Sequence, residues 1–139
     1  MKLSFGMIFS IILIIVFLVV AFYAIQKFIV LQKDITYKQF ISDFQDDVDK
    51  MWKGSPGSQI QEYLLPASIT SICFVDAQPY NMKANYKNKY FEETINHLNI
   101  VNTTKGQNQI CIEPNDSKLR LILQKKNSDP LVTIIENVK

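Results

Sequence analysis

At 139 residues, with 15 basic and 13 acidic side chains and a formal charge of +2, the chain has room for one modest domain. No nucleic-acid reading follows from so near a balance, since the basic patch that a polyanion partner leaves is not visible in the sequence. No internal repeat or low-complexity tract occurs, and the Asn- and Lys-rich composition after residue 80 has the character of solvated surface and loops.

Residues 3–26 carry no charge, and the run from Met7 to Ile25 has Ser10 as its only strongly polar member. A helix rises about 1.5 Å per residue and needs roughly 20 apolar residues to cross a hydrocarbon core, so this run predicts one membrane span with a little length to spare. A cleaved secretory signal is the competing reading. Its apolar core is usually about 7–15 residues and ends at small residues. Here the run is longer, and a cut after Ala24 would find bulky Phe22 close before it. The expected organisation is an anchor and membrane-proximal stem over 1–33 and a small α+β domain over 34–139.

Two arguments about orientation oppose each other. Lys2 precedes the span and Lys27, Lys33 and Lys38 follow it, a slight excess that leans towards a cytoplasmic domain. The two cysteines lean the other way. Cys73 lies within Ser68–Asp76 and Cys111 within Gln107–Pro114, both strand-like, and in each the flanking Ile72 and Phe74 or Ile110 and Ile112 are apolar. Strand alternation puts those neighbours on one face and both thiols on the other, the geometry a disulfide uses if the strands are adjacent. Free buried cysteines are the alternative, since Cys packs well as a small hydrophobe. Asn102-Thr103-Thr104 and Asn115-Asp116-Ser117 are acceptor sequons that matter only outside the cytoplasm. An extracytoplasmic domain with Cys73 joined to Cys111, and with Asn102 and Asn115 as glycosylation candidates, is the expectation.

Beyond the span, Tyr37, Phe40, Ile41, Phe44, Val48, Met51 and Trp52 recur at spacings of three and four and draw one apolar stripe along a stem helix over 36–53. Asp43, Asp46, Asp47 and Asp49 fall off the stripe, on a solvated face. Thr36 with Gln39 three residues on is a capping-box pattern, a place for the helix to pause and restart. Gly54-Ser55-Pro56-Gly57-Ser58 ends it.

After the break the period changes to two, and the β region spans 58–139. Strands are expected at Ile60–Leu65, Ile69–Val75, Gln109–Glu113, Lys118–Gln124 and Leu131–Glu136, with a short helix at Tyr90–Leu98 inside the long connection from Pro79 to Asn108. Successive strands with tight links suggest an antiparallel meander. Each strand has one apolar side, and the stem helix is the available cover.

This layout resembles the type IV pilin-like proteins, and the archaeal ones in flavour. Those proteins have a short basic leader, an apolar helix continuing as an amphipathic stem, and a small antiparallel β domain packed on the stem. The resemblance rests on the leader-like start MKLSFG-MIFSIILIIVFLVVAFYAI and the stem-to-strand passage KMWKGSPGSQIQEYLLPASITSICFVD. It implies leader cleavage between Gly6 and Met7. The fifth position after that cut is Ile11, where members of the family usually carry Glu.

No GxSxG, P-loop or dinucleotide glycine pattern occurs, and His97 is the sole histidine, so no enzyme activity, cofactor or metal is expected. His97 itself is expected to be a plain surface residue, and the sole tryptophan, Trp52, to pack against the sheet. The aspartates on the stem lack the glycine turn and backbone carbonyls of a calcium loop. Two function classes remain. One is a pilin-like structural subunit that self-associates through its apolar helix. The other is a monomeric anchored module that uses the 79–108 connection as its contact surface, with the lipid bilayer as the common partner.

Overall fold

The structure is a computed structural model that describes residues 4–136, and it is α+β. In chain order the elements are α1 (Phe5–Lys53), β1 (Gly57–Leu64), β2 (Ile69–Val75), β3 (Met82–Tyr86), β4 (Tyr90–Glu93), α2 (Ile100–Thr104), β5 (Gln109–Ile112), β6 (Lys118–Lys125) and β7 (Val132–Glu136). The helical assignment of α1 runs through Thr36 without the pause that the capping-box pattern suggested. The chain nevertheless divides into two compact units there, Met1–Ile35 and Thr36–Lys139.

The described part of the first unit is helical from Phe5, and its large hydrophobic side chains are exposed all round. Ser10, the polar exception, donates its hydroxyl to the Gly6 carbonyl at 2.9 Å. That bond turns the hydroxyl inward onto the backbone, which is how serine is accommodated in an apolar helix.

The second unit holds two antiparallel sheets where the sequence suggested a single meander. β1, β6 and β7 form a three-stranded sheet in that order, and β4, β3, β2 and β5 form a four-stranded one. The connection from 79 to 108 is the main correction. The alternation of buried Met82 and Ala84 with half-exposed Lys83 and Asn85 is a strand, β3, and Tyr90–Glu93 is its partner β4, where a helix over Tyr90–Leu98 was expected. Ile95 and Leu98 are buried at helical spacing, yet Ile95 lies in an irregular segment just before a turn and Leu98 in an isolated bridge to Val132. The short helix in this stretch, α2, comes later. Asn99 caps it by accepting from the Asn102 N–H at 3.0 Å, and Lys105 closes it in the left-handed conformation.

The stem stripe is where the spacing placed it. Tyr37, Phe40, Phe44, Val48 and Met51 are buried, while Trp52 is half-buried at the edge of the core. Phe44 is the hub. Its ring stacks 5.9 Å from Phe40, meets Tyr63 of β1 edge-on at 5.6 Å, and lies 6.1 Å from Phe74 of β2, so one side chain touches both sheets. Ile72, Leu121 and Leu123 complete the surroundings, each essentially without solvent exposure. The helix ends at Lys53, and at Gly54, whose N–H still donates to the Lys50 carbonyl at 3.0 Å, a Cβ would stand 3.1 Å from that oxygen. Lys125 of β6 reaches back and donates to the Trp52 carbonyl at 2.5 Å and the Gly54 carbonyl at 2.8 Å. A cation on the last carbonyls satisfies groups the helix cannot pair and complements its dipole.

Truncating the hub leaves a cavity between two sheets that cannot both move in. Phe44→Ala is expected to cost about 3–5 kcal/mol, measured by chemical denaturation of the purified protein in detergent, while Asp46→Ala on the exposed side of the same helix changes stability by less than about 0.5 kcal/mol. Equal midpoints for the two variants would remove Phe44 from the core.

Candidate functional site

Three surfaces stand out among the described residues. The first is α1 before residue 36. It is long and apolar enough to cross a membrane, and none of its apolar window is covered by the rest of the protein. Gly6 and Met7, the candidate leader junction, lie exposed in its first turns, and the leader residues before Ser4 lie outside the described residues.

The second is the outer face of the four-stranded sheet. β2 and β5 pair so that Cys73 stands directly opposite Cys111, with Cα atoms 3.9 Å apart, and the two sulfurs are bonded. Ile72, Phe74 and Ile112 point into the core and the disulfide lies on the opposite side. Cys73 is buried there, whereas Cys111 is exposed on the edge strand. Asn85 of β3 donates to the Cys73 sulfur at 3.2 Å and to the Ser71 hydroxyl at 2.9 Å. The bond ties a four-residue edge strand to the centre of its sheet across a sequence separation of 38.

The two sequons differ in setting. Asn115 sits in an exposed turn whose next residues, Asp116 and Ser117, both have positive φ, and Asn115 and Lys118 exchange two backbone hydrogen bonds at 2.9 Å. That is the geometry of a type I′ hairpin turn. Asn102 is exposed on α2, but its amide donates to Asp129 at 3.2 Å. The threonines that follow are buried: Thr103 accepts the Ile134 N–H at 3.0 Å, closing the outer edge of β7, and Thr104 donates to the Ile100 carbonyl at 2.9 Å.

The third surface joins the stem to the loop after β4, and the residue types alone gave it little notice. His97 is more than a surface residue. Its Nδ1 lies 2.9 Å from an Asp49 carboxylate oxygen, and its ring stacks on Trp52 with centroids 3.7 Å apart and planes 7° from parallel. Its φ of 63° lies in the left-handed region, a conformation that costs a non-glycine residue about 1–2 kcal/mol. The surroundings hold it there. The His97 carbonyl accepts the Val132 N–H at 2.9 Å, the Asn99 N–H donates back to Val132 at 2.7 Å, and Gln45 accepts the Asn96 N–H at 2.8 Å. Asp49 and Trp52 stand three residues apart on the stem, but nothing in the sequence brings the distant His97 to them. The stem acids are likewise not uniformly solvated, because Asp47 accepts the Tyr63 hydroxyl at 2.9 Å. Burial, then that carboxylate, raise the Tyr63 hydroxyl well above the ordinary tyrosine range; burial and Glu93 do the same for Tyr37.

Chemically, a carboxylate–imidazole pair orients a base, but here the ring is occupied by the indole and the hydrogen bond it makes goes to Asp49. Among the described residues no group of three or more His, Cys, Asp or Glu side chains is placed to hold a metal ion. Comparison of the chain with family models, with curated proteins and with solved structures finds no match.

Reducing the disulfide is expected to lower stability by about 4 kcal/mol in the chain-entropy account of a loop of this length, read as a fall in the unfolding midpoint on adding reductant that a Cys73→Ala/Cys111→Ala variant does not show. A second expectation concerns pH. The hydrogen bond from His97, ahead of the others, holds the Asp49 carboxyl below its ordinary 3.8. A depressed carboxyl stabilises the fold above its unfolded value and loses that contribution as pH falls through its folded value. The stability advantage of the wild type over Asp49→Asn is therefore present above about pH 4 and shrinks below it, by thermal unfolding across an acid series. An advantage that grows on acidification would reverse the assignment.

Proposed function

We propose that this protein is a membrane-anchored structural subunit of pilin-like type, with its α+β domain outside the cytoplasm and its apolar helix packed in lipid or against copies of itself in a filament or membrane assembly. The observation that carries the reading is the contrast within α1. From Phe5 to Leu31 nearly every side chain is apolar and exposed, whereas from Tyr37 onward the apolar side chains are covered by the chain's own two sheets. An apolar surface of that extent does not persist in water, so lipid or a helical bundle is its natural surrounding. The Cys73–Cys111 disulfide supports an oxidising compartment for the domain. The proposal is of a structural and interaction role.

A second reading has its own observation. In filaments of the pilin kind a glutamate near the start of the helix neutralises the neighbouring subunit's amino terminus, and the matching position here is Ile11, within a run that carries no charge from 3 to 26. A single anchor carrying a monomeric accessory domain accommodates that change more simply than a filament does.

Two measurements test the anchor and choose between the readings. Ile14→Asp with Val16→Asp is expected to move the protein from the membrane fraction to the soluble or aggregated one, since each aspartate at a helix centre costs roughly 3 kcal/mol to insert. Retained tight membrane association of that variant would refute the anchor. Electron microscopy and light scattering of mildly extracted protein are expected to show long or multimeric assemblies for the subunit, and a monomer throughout would transfer the role to the accessory module.

A further inference from the structure

Along the stem of the second unit the contacts come in a definite order. Tyr37, in its first turn, lies 5.5 Å from the ring of Phe91 and 6.5 Å from that of Tyr86, and its hydroxyl donates to Glu93 at 3.4 Å. Phe44 meets Phe74 midway, and Trp52 meets His97 at the far end. The β3–β4 hairpin is therefore mounted on the first turn of the stem. Tyr37 stands six positions after Leu31, the end of the aliphatic run. Even fully extended, six residues span no more than about 20 Å, which keeps Tyr37 close to whatever surface the apolar run enters.

The hairpin's chemistry suits such a surface. Its tip reads Tyr86-Lys87-Asn88-Lys89-Tyr90, and Lys87, Asn88, Lys89, Tyr90 and Phe91 are all exposed. Lys83 lies 4.1 Å over the Tyr90 ring. Neither Lys87 nor Lys89 pairs with a carboxylate among the described residues. The acids of this end are partly engaged: Glu93 with the Tyr37 hydroxyl, and Glu92 with Tyr80, whose hydroxyl it raises. Lys38 adds a cation on the same end of the stem, while Asp43, Asp46, Asp47 and Asp49 follow further along it. The basic and aromatic hairpin thus stands at the start of the stem, while the four aspartates lie further along it, with Lys50 and Lys53 in its last turn.

We propose that the β3–β4 hairpin docks the second unit on the anionic phospholipid headgroups of the membrane that holds α1. The inference rests on the anchor reading above and adds a second, electrostatic contact to it. Lys87 and Lys89 meet the phosphate layer, and Tyr90 and Phe91 lie at headgroup depth, where amphipathic rings are favoured. The full-length protein, reconstituted in nanodiscs of phosphatidylcholine with or without phosphatidylglycerol, tests it by amide hydrogen exchange. In the anionic discs, exchange at 86–90 is expected to slow by roughly tenfold or more, because each lysine near an anionic surface contributes about a factor of five. The protection should be lost in Lys87→Gln/Lys89→Gln and at raised salt, with the amides of 119–123 unchanged as the control for folding. Equal exchange in the two lipids, or protection that survives the double substitution, overturns the docking surface while leaving the anchor standing. Failure of the chain to enter either disc defeats the anchor reading, and the docking surface falls with it.

Discussion

The packing of Phe44 between Tyr63 and Phe74 is the contact on which the second unit depends. Each sheet has one apolar face, and a three-stranded or four-stranded sheet cannot leave that face in water. Neither sheet covers the other's need alone, so the stem enters as a third layer, presenting an aromatic stripe at helical spacing to strands with a spacing of two. Large flat rings are suited to that mismatch, because one ring spans neighbours on two elements that aliphatic side chains would reach singly. Burial of Phe40, Phe44, Val48 and Met51 to a few per cent exposure or less follows from this geometry.

Why the stem was legible in the sequence and the hairpin was not has a physical answer. The stripe from Tyr37 to Met51 is long and strongly periodic, and so are Leu119, Leu121 and Leu123; signals of that kind survive any tertiary arrangement. β3 is short, and it alternates Met82 and Ala84 with Lys83 and Asn85, residues of weak strand preference whose placement is decided by pairing with β2 and β4. Ile95 and Leu98 stand three apart, as on a helix, but their burial comes from a turn clamped between Gln45 and Val132. The order of the strands was hidden for a related reason. β1 pairs with β6 across more than fifty residues, and no local pattern encodes that register.

The candidate surfaces divide in the same way. Cys73 and Cys111 could be placed on one face from their own neighbours, since alternation is a local property. Asp49, Trp52 and His97 could not be joined, because their meeting needs the loop after β4 to fold back beside the last turns of the stem. That cluster does structural work that composition conceals. A histidine with positive φ, stacked on the sole tryptophan and bonded to a carboxylate, fixes the loop that links the four-stranded sheet to β7 and α2.

The disulfide and this clamp act on one segment from opposite directions. Between Cys73 and Cys111 the chain carries β3, β4, the His97 loop and α2, all of it in short elements of 4–5 residues that individually contribute little. Short elements open readily unless something shortens the excursions of the chain that carries them. The covalent bond limits the unfolded reach of the whole segment, while Gln45, Asp49 and Trp52 hold its middle to the stem.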